Sequence, residues 1–186
     1  MSKLQIKSGV VGLLVAALSS ITVSAQNNAG GPAKRPSLVV GIVVEGLSTD
    51  YIDLLKNHFG TGGFRRLLEQ GVTISDVDFG TPLDGAAATA VIFTGASPSV
   101  NGIGSAGIYD PETRRVRSVL LDPETIGNFT EETLSPRNLT ASTIADELRI
   151  DAGGLGYAYA IAPEAAEAII MAGHAGNSAF WLNDNT

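Results

Sequence analysis

The chain contains no cysteine, which excludes disulfides, thiolate metal sites and a thiol nucleophile together. Positive charge is scarce as well, with 12 Lys and Arg against 19 Asp and Glu. Two of those 12, Lys3 and Lys7, lie in an N-terminal segment expected to be removed, which leaves 10 against 19 and a net charge of −9. So acidic a chain is a poor partner for nucleic acid or an anionic membrane, and neither is expected. It also lacks a diffuse positive field for gathering phosphate esters, so a site for such substrates would need metal ions or a few placed cations. Long apolar runs are nearly absent. The exception, Gly9 to Val23 (GVVGLLVAALSSITV), follows Lys3 and Lys7 and precedes the small-residue site Val23-Ser24-Ala25. That pattern is a secretory signal peptide over residues 1–25, too short for a membrane span, with cleavage before Gln26 and export, to the periplasm, as the expectation.

What remains is globular in composition, 44% apolar with 22 Gly in 186 residues, enough for one domain. Residues 26–36 (QNNAGGPAKRP) are a polar linker, and the fold is expected over 37–186. Ser37 to Val44 (SLVVGIVV) is a continuous β-branched run that predicts a central strand buried on both faces. Ser48 or Thr49 caps a helix through Leu55, and Phe64 to Gln70 forms a short helix stopped by Gly71. Val72 to Phe79 alternates like a strand, and Ala86 to Thr94 is a helix of small residues closed by Gly95. Ile108 to Leu121 predicts a hairpin turning at Asp110-Pro111-Glu112. Thr140 to Arg149 predicts an amphipathic helix with Ile144 and Leu148 on its apolar face. Gly156 to Ile161 and Ala179 to Leu182 read as strands, with a helical or extended piece at Glu164 to Ile170 between them. Alternation of this kind means an α/β domain on a largely parallel sheet.

In such sheets ligands bind beyond the carboxyl ends of the strands. Glu45, after the first strand, is a candidate cation ligand or a solvated loop acid. Asp84 precedes a helix whose N-terminal N–H groups could hold an anion, but an Asp there is also an ordinary N-cap. Thr81 and Thr89 carry hydroxyls without a neighbouring base in sequence. His58 ends a helix, and His174 sits in a small-residue loop as a ligand or a hydrogen-bonded structural residue. Arg114, Arg115 and Arg117 lie on the hairpin, with a solvated edge as the default reading. Asn128-Phe129-Thr130 and Asn138-Leu139-Thr140 match glycosylation acceptors.

The order of the pieces says more than any one of them. RPSLVVGIVVEGLSTDYIDLL, GTGGFRRLLEQGV, VIFTGASPSVNGI, IYDPET and AGHAGNSAFW follow one another from about Arg35 to Thr186. That succession resembles the alkaline phosphatase superfamily, within its type I phosphodiesterase/nucleotide pyrophosphatase group, and is most similar to the phosphate-irrepressible alkaline phosphatases of Bacteroidetes. The resemblance implies a three-layer α/β sandwich with a largely parallel central sheet, of which this chain would be a truncated N-terminal portion. It also implies two zinc ions, a Thr nucleophile at a helix start, and phosphate ester hydrolysis through a phosphoenzyme.

Carried over residue by residue, the family's Asp ligand after the first strand falls on Glu45. The nucleophilic Thr falls on Gly85, the phosphoryl-contacting Asn on Ala106, and the phosphoryl-contacting Lys and Arg on Glu164 and Ala166. The remaining zinc ligands would lie beyond residue 186. The expectation is therefore an exported superfamily member with impaired chemistry, a pseudophosphatase with a binding role toward a phosphate ester or other small molecule. The alternative is an active metal-dependent phosphomonoesterase or phosphodiesterase with a rearranged site, recruiting Thr81, Asp84 or a water on a metal held partly by Glu45.

Overall fold

The computed structural model describes residues 36–74 and 77–182. The expected signal peptide and all of the expected linker but Pro36 therefore lie outside the described residues. The chain divides into two compact units, Met1–Gly41 and Ile42–Thr186. Of the first, only residues 36–41 are described, and they are exposed and lie in no regular element.

The second unit carries every regular element among the described residues. In chain order these are α1 (Thr49–Leu55), α2 (Gly63–Gln70), α3 (Gly85–Thr94), α4 (Pro98–Asn101), β1 (Gly107–Asp110), β2 (Arg115–Ser118), α5 (Ile144–Asp151), β3 (Tyr159–Ile161), α6 (Ala165–Ala172) and β4 (Ser178–Phe180). Short 3-10 turns occupy Lys56–His58 and Pro136–Asn138. Local chemistry accounts for most of these boundaries. Ser48 caps α1 by accepting from the Asp50 N–H. Asp84 caps α3, which Gly95 ends in the left-handed conformation at φ 66°, where a side chain would be strained. Gly71 stops α2 by another route: its backbone is extended, and a Cβ there would lie 2.5 Å from the Leu67 carbonyl oxygen.

The hairpin β1–β2 pairs Gly107 with Ser118 through Asp110 with Arg115. Asp110 organises its turn, accepting from Glu112 N–H and from the Thr113 hydroxyl at 2.9 Å each. These bonds hold the Asp110 carboxyl below the usual carboxylate range, the Thr113 hydroxyl contributing most. β3 and β4 pair in parallel, Tyr159 with Ser178 through Ile161 with Phe180. α6 is the crossover that such a parallel connection requires.

The core is small. Ala86 and Ala90 of α3 meet Ile169 and Ile170 of α6, with Ile103, Val119, Leu120 and Leu139 completing the cluster. The Ala-rich face of α3 permits a close approach to α6, and that contact positions the candidate site.

Among the described residues, two predicted strands are not seen. Residues 37–44 are exposed and lie in no regular element, and none of the described residues of 72–79 lies in a strand. A β-branched run becomes a strand only when a neighbour completes its hydrogen-bond ladder, and no described residue pairs with either run. The sheet seen among the described residues is thus the β3–β4 pair and the separate hairpin. The face of α5 also differs from expectation: Ile144 and Leu148 are exposed, and the residue it buries is Asp146.

Candidate functional site

The N-terminus of α3 brings together Glu45, Asp84, Gly85 and Ala106 of the candidates named in the sequence. Asp84 uses both carboxyl oxygens on backbone: Oδ1 accepts from Ala87 N–H at 2.9 Å, and Oδ2 from Ala106 N–H at 2.7 Å. It is a helix cap that also ties down the loop through Ala106. Gly85 follows as the first helical residue. A Cβ built there would lie 2.6 Å from Oε1 of Glu45 and 2.9 Å from Oε1 of Glu167. Both carboxyl groups therefore point at the space where a side chain on residue 85 would begin.

Glu167 comes from the first turn of α6, and Glu164 is the N-cap of that helix without a side-chain capping bond. Ala166 packs its methyl group against the core. Oε2 of Glu167 is buried and has no hydrogen-bond partner. Burial pushes the Glu167 carboxyl above the usual range, and the charges of Glu45, Glu164 and Asp84 push it further, against the pull of its own backbone N–H. The site thus sets two carboxyls, Glu45 and Glu167, against Gly85, with the charges of Glu164 and Asp84 close enough to act on Glu167. Glu167 escaped the sequence reading, although the spacing Glu164-x-x-Glu167 at a helix start places both acids on one face.

The other candidates lie elsewhere. Thr81 is exposed and Thr89 is buried inside α3. His58 ends the 3-10 turn after α1. Arg114 sits in the hairpin turn at φ 54°, and Arg115 and Arg117 on β2 are exposed. The Asn138 amide donates to the Val119 carbonyl at 2.6 Å and the following Leu139 is buried, so that tripeptide is engaged in the fold.

His174 belongs to a second polar cluster. Its Nδ1 lies 3.7 Å from Oδ2 of Asp146, which is 3% exposed. Asp146 also accepts from Thr143 N–H at 2.8 Å, the Thr143 hydroxyl at 3.0 Å and Ala175 N–H at 2.6 Å. Burial pushes this carboxyl up, but the bonds from Thr143 and Ala175, with the charge of His174, outweigh it and the net shift is downward. Gly173, at φ 67°, lets the chain pass: a Cβ there would meet the Thr143 hydroxyl and lie 2.6 and 2.7 Å from the Asp146 oxygens. The cluster is a structural clamp between α5 and the turn after α6.

The sequence model of the type I phosphodiesterase / nucleotide pyrophosphatase family matches residues 39–183. The chain belongs to this family. Among relatives, alkaline phosphatase PhoV of Synechococcus elongatus is 33% identical over 156 residues, covering 82% of this chain and 28% of that protein. Alkaline phosphatase PafA of Elizabethkingia meningoseptica is 30% identical over a 190-residue alignment, covering 97% of this chain and 33% of that protein. A crystal structure of a PafA mutant superposes with a TM-score of 0.70 at 31% identity, over 77% of this chain and 29% of that one. The fold is therefore the α/β fold of the alkaline phosphatase superfamily. The chain spans about a third of the length of these relatives.

The zinc that the resemblance implies can be tested against the donors present. At this site the described residues offer the carboxyls of Glu45 and Glu167, while both oxygens of Asp84 are turned to backbone N–H groups. No set of three or more His, Asp or Glu among the described residues is placed to hold a metal ion. Two carboxylates without an imidazole are an incomplete zinc site. They do not fit zinc by themselves.

Proposed function

We propose that this is an exported member of the type I phosphodiesterase / nucleotide pyrophosphatase family that has lost phosphoryl-transfer chemistry and retains a binding role toward a small molecule. The observation that carries this reading is Gly85. A phosphoenzyme needs an oxygen or nitrogen nucleophile at the start of α3, and Gly85 offers hydrogen where two carboxyls crowd in. The surrounding charge points the same way. Phosphoryl transfer is stabilised by cations placed around the transferring group, each such donor being worth roughly 3–4 kcal/mol. Here Glu164, Glu167, Glu45 and Asp84 stand in that region instead, and Ala166 packs into the core. Such a setting disfavours a phosphate dianion, so the small molecule bound is not expected to be one.

The PafA mutant just described supports the mapping of positions. It carries replacements of a Thr, an Asn, a Lys and an Arg. The Thr and Asn stand as far apart in that chain as Gly85 and Ala106 do here, and the Lys and Arg as far apart as Glu164 and Ala166.

The protein purified from its host and supplied with zinc should hydrolyse aryl phosphates no faster than a buffer control. Gly85→Thr alone should not rescue it, because Ala106, Glu164 and Ala166 stay as they are. Zinc-dependent turnover abolished by Glu45→Ala would overturn the reading and establish a rebuilt metal site.

Export rests on the n-region, apolar run and cleavage site of residues 1–25. No helix among the described residues is long and apolar enough to cross a membrane. N-terminal sequencing of the native protein should read from Gln26 in the periplasmic fraction. A cytoplasmic chain starting at Met1 would sink this part.

A further inference from the structure

The loss of a nucleophile can be a single substitution, open to reversal, or it can be built into the surroundings. At Gly85 two independent elements close on the vacated volume. Glu45 reaches it from the turn before α1, where it is exposed and its carboxyl can swing into solvent. Glu167 is different. It stands on the first turn of α6, in the element that packs on α3, and one of its oxygens is buried without a partner. The residue as a whole is half-buried, and the carboxyl lies against the start of α3 with that one oxygen out of solvent. We propose that Glu167 is the residue that closes the nucleophile position: with Glu45 it occupies the space a side chain on residue 85 would need, so that glycine at 85 is a consequence of the acid on α6.

Glycine at 85 is then favoured for a reason other than backbone conformation, since any side chain there requires the Glu45 and Glu167 carboxyls to shift. Gly85 lies in a helix and is absent from the residues with positive φ. Alanine would suit its backbone and, without the acid opposite, would stabilise by reducing the freedom of the unfolded chain. With Glu167 in place, the added Cβ falls 2.9 Å from Oε1, closer than real Cβ contacts allow. Glu167 has this role only if position 85 is the family's nucleophile position. The experiment below reads packing, not turnover, so the two readings can fail separately.

A mutant cycle on the whole mature protein, followed by far-UV circular dichroism, tests it. In the native background Gly85→Ala should lower Tm by about 2–6 °C. In a Glu167→Ala background, and in Glu167→Asp, which withdraws the carboxyl by one methylene, the same change should raise Tm by about 1–3 °C. Glu167→Gln keeps the volume and removes the charge, so there Gly85→Ala should still destabilise. An equal effect of Gly85→Ala in all backgrounds would overturn the proposal. So would full rescue by Gln, which would make the conflict one of charge and not of space. Using both Ala and Asp keeps the cycle readable if either variant fails to fold.

Discussion

At the scale of single residues, what could be read in advance was what a side chain lacks. Gly85 and Ala106 carry no side chain that could supply a nucleophile or an amide in any fold, and the resemblance proposes them for those positions. What Glu167 does could not be read that way. Its meaning depends on α6 packing against α3, and a Glu on a helix surface is ordinary until its partner is known. Asp146 was missed for a related reason. Thr143-x-x-Asp146 has capping-box spacing, and the box does form, with Thr143 and Asp146 bonding each other's backbone N–H groups. That the acid would also be buried and would hold Ala175 comes from the turn after α6.

The Asp146 clamp yields a pH prediction with a definite sign. Its folded-state pKa lies below the unfolded value, near 3.9 for an ordinary Asp. The ionised form therefore contributes stability that is present above the unfolded pKa and lost as pH falls through the folded pKa. Asp146→Asn should cost about 2 kcal/mol at neutral pH, because an amide nitrogen faces N–H and O–H donors. It should also flatten the acid limb. Urea midpoints measured from pH 6 downward should fall more steeply for the native protein than for the variant. Parallel curves would show that Asp146 is protonated, or solvated, in the fold.

At the scale of elements, helices were more legible than strands, and the physics is plain. A helix closes its hydrogen bonds within one segment, so Ser48, Asp84 and Gly95 mark ends that the fold respects to within a residue or two. By contrast α5, expected from Thr140, begins only at Ile144, behind the Thr143 box. α3 begins at Gly85, one residue before the predicted start, and α6 occupies Ala165–Ala172, where a helical or extended piece was expected. The hairpin was also legible, since Asp110 and Arg114 make its turn locally. The runs 37–44 and 72–79 have the composition of strands but depend on distant partners. Composition records a propensity to be paired, not the pairing. The candidate site inherits this division. Its α3 and α6 walls follow from local signals, whereas Glu45 is brought to Gly85 from a segment whose predicted strand is not seen among the described residues.

At the scale of the molecule, this apolar backbone, unpaired among the described residues, has a consequence in solution. Leu38, Val40 and Ile42 are 78%, 67% and 79% exposed, and Val72 is 94% exposed. SLVVGIVV combines high β-propensity with no charge and no proline, and it leaves its backbone donors and acceptors to any chain that can pair with them. Exposed apolar area of this kind binds hydrophobic dyes and drives self-association. The chain from Gln26 to Thr186 should therefore enhance the fluorescence of such a dye before any thermal transition, and should elute larger than a monomer at micromolar concentration. Val40→Lys places a charge in the middle of the run, the device natural sheets use to blunt an open edge. Because Val40 contributes little to the buried core, the substitution should weaken both signals while the helical melt stays within about 2 °C of the parent, as for other surface changes. A monomeric parent with no dye enhancement would show that this segment finds a partner within its own chain. Loss of the helical melt in Val40→Lys would show that the run is already buried, and either result would remove it as the route to association.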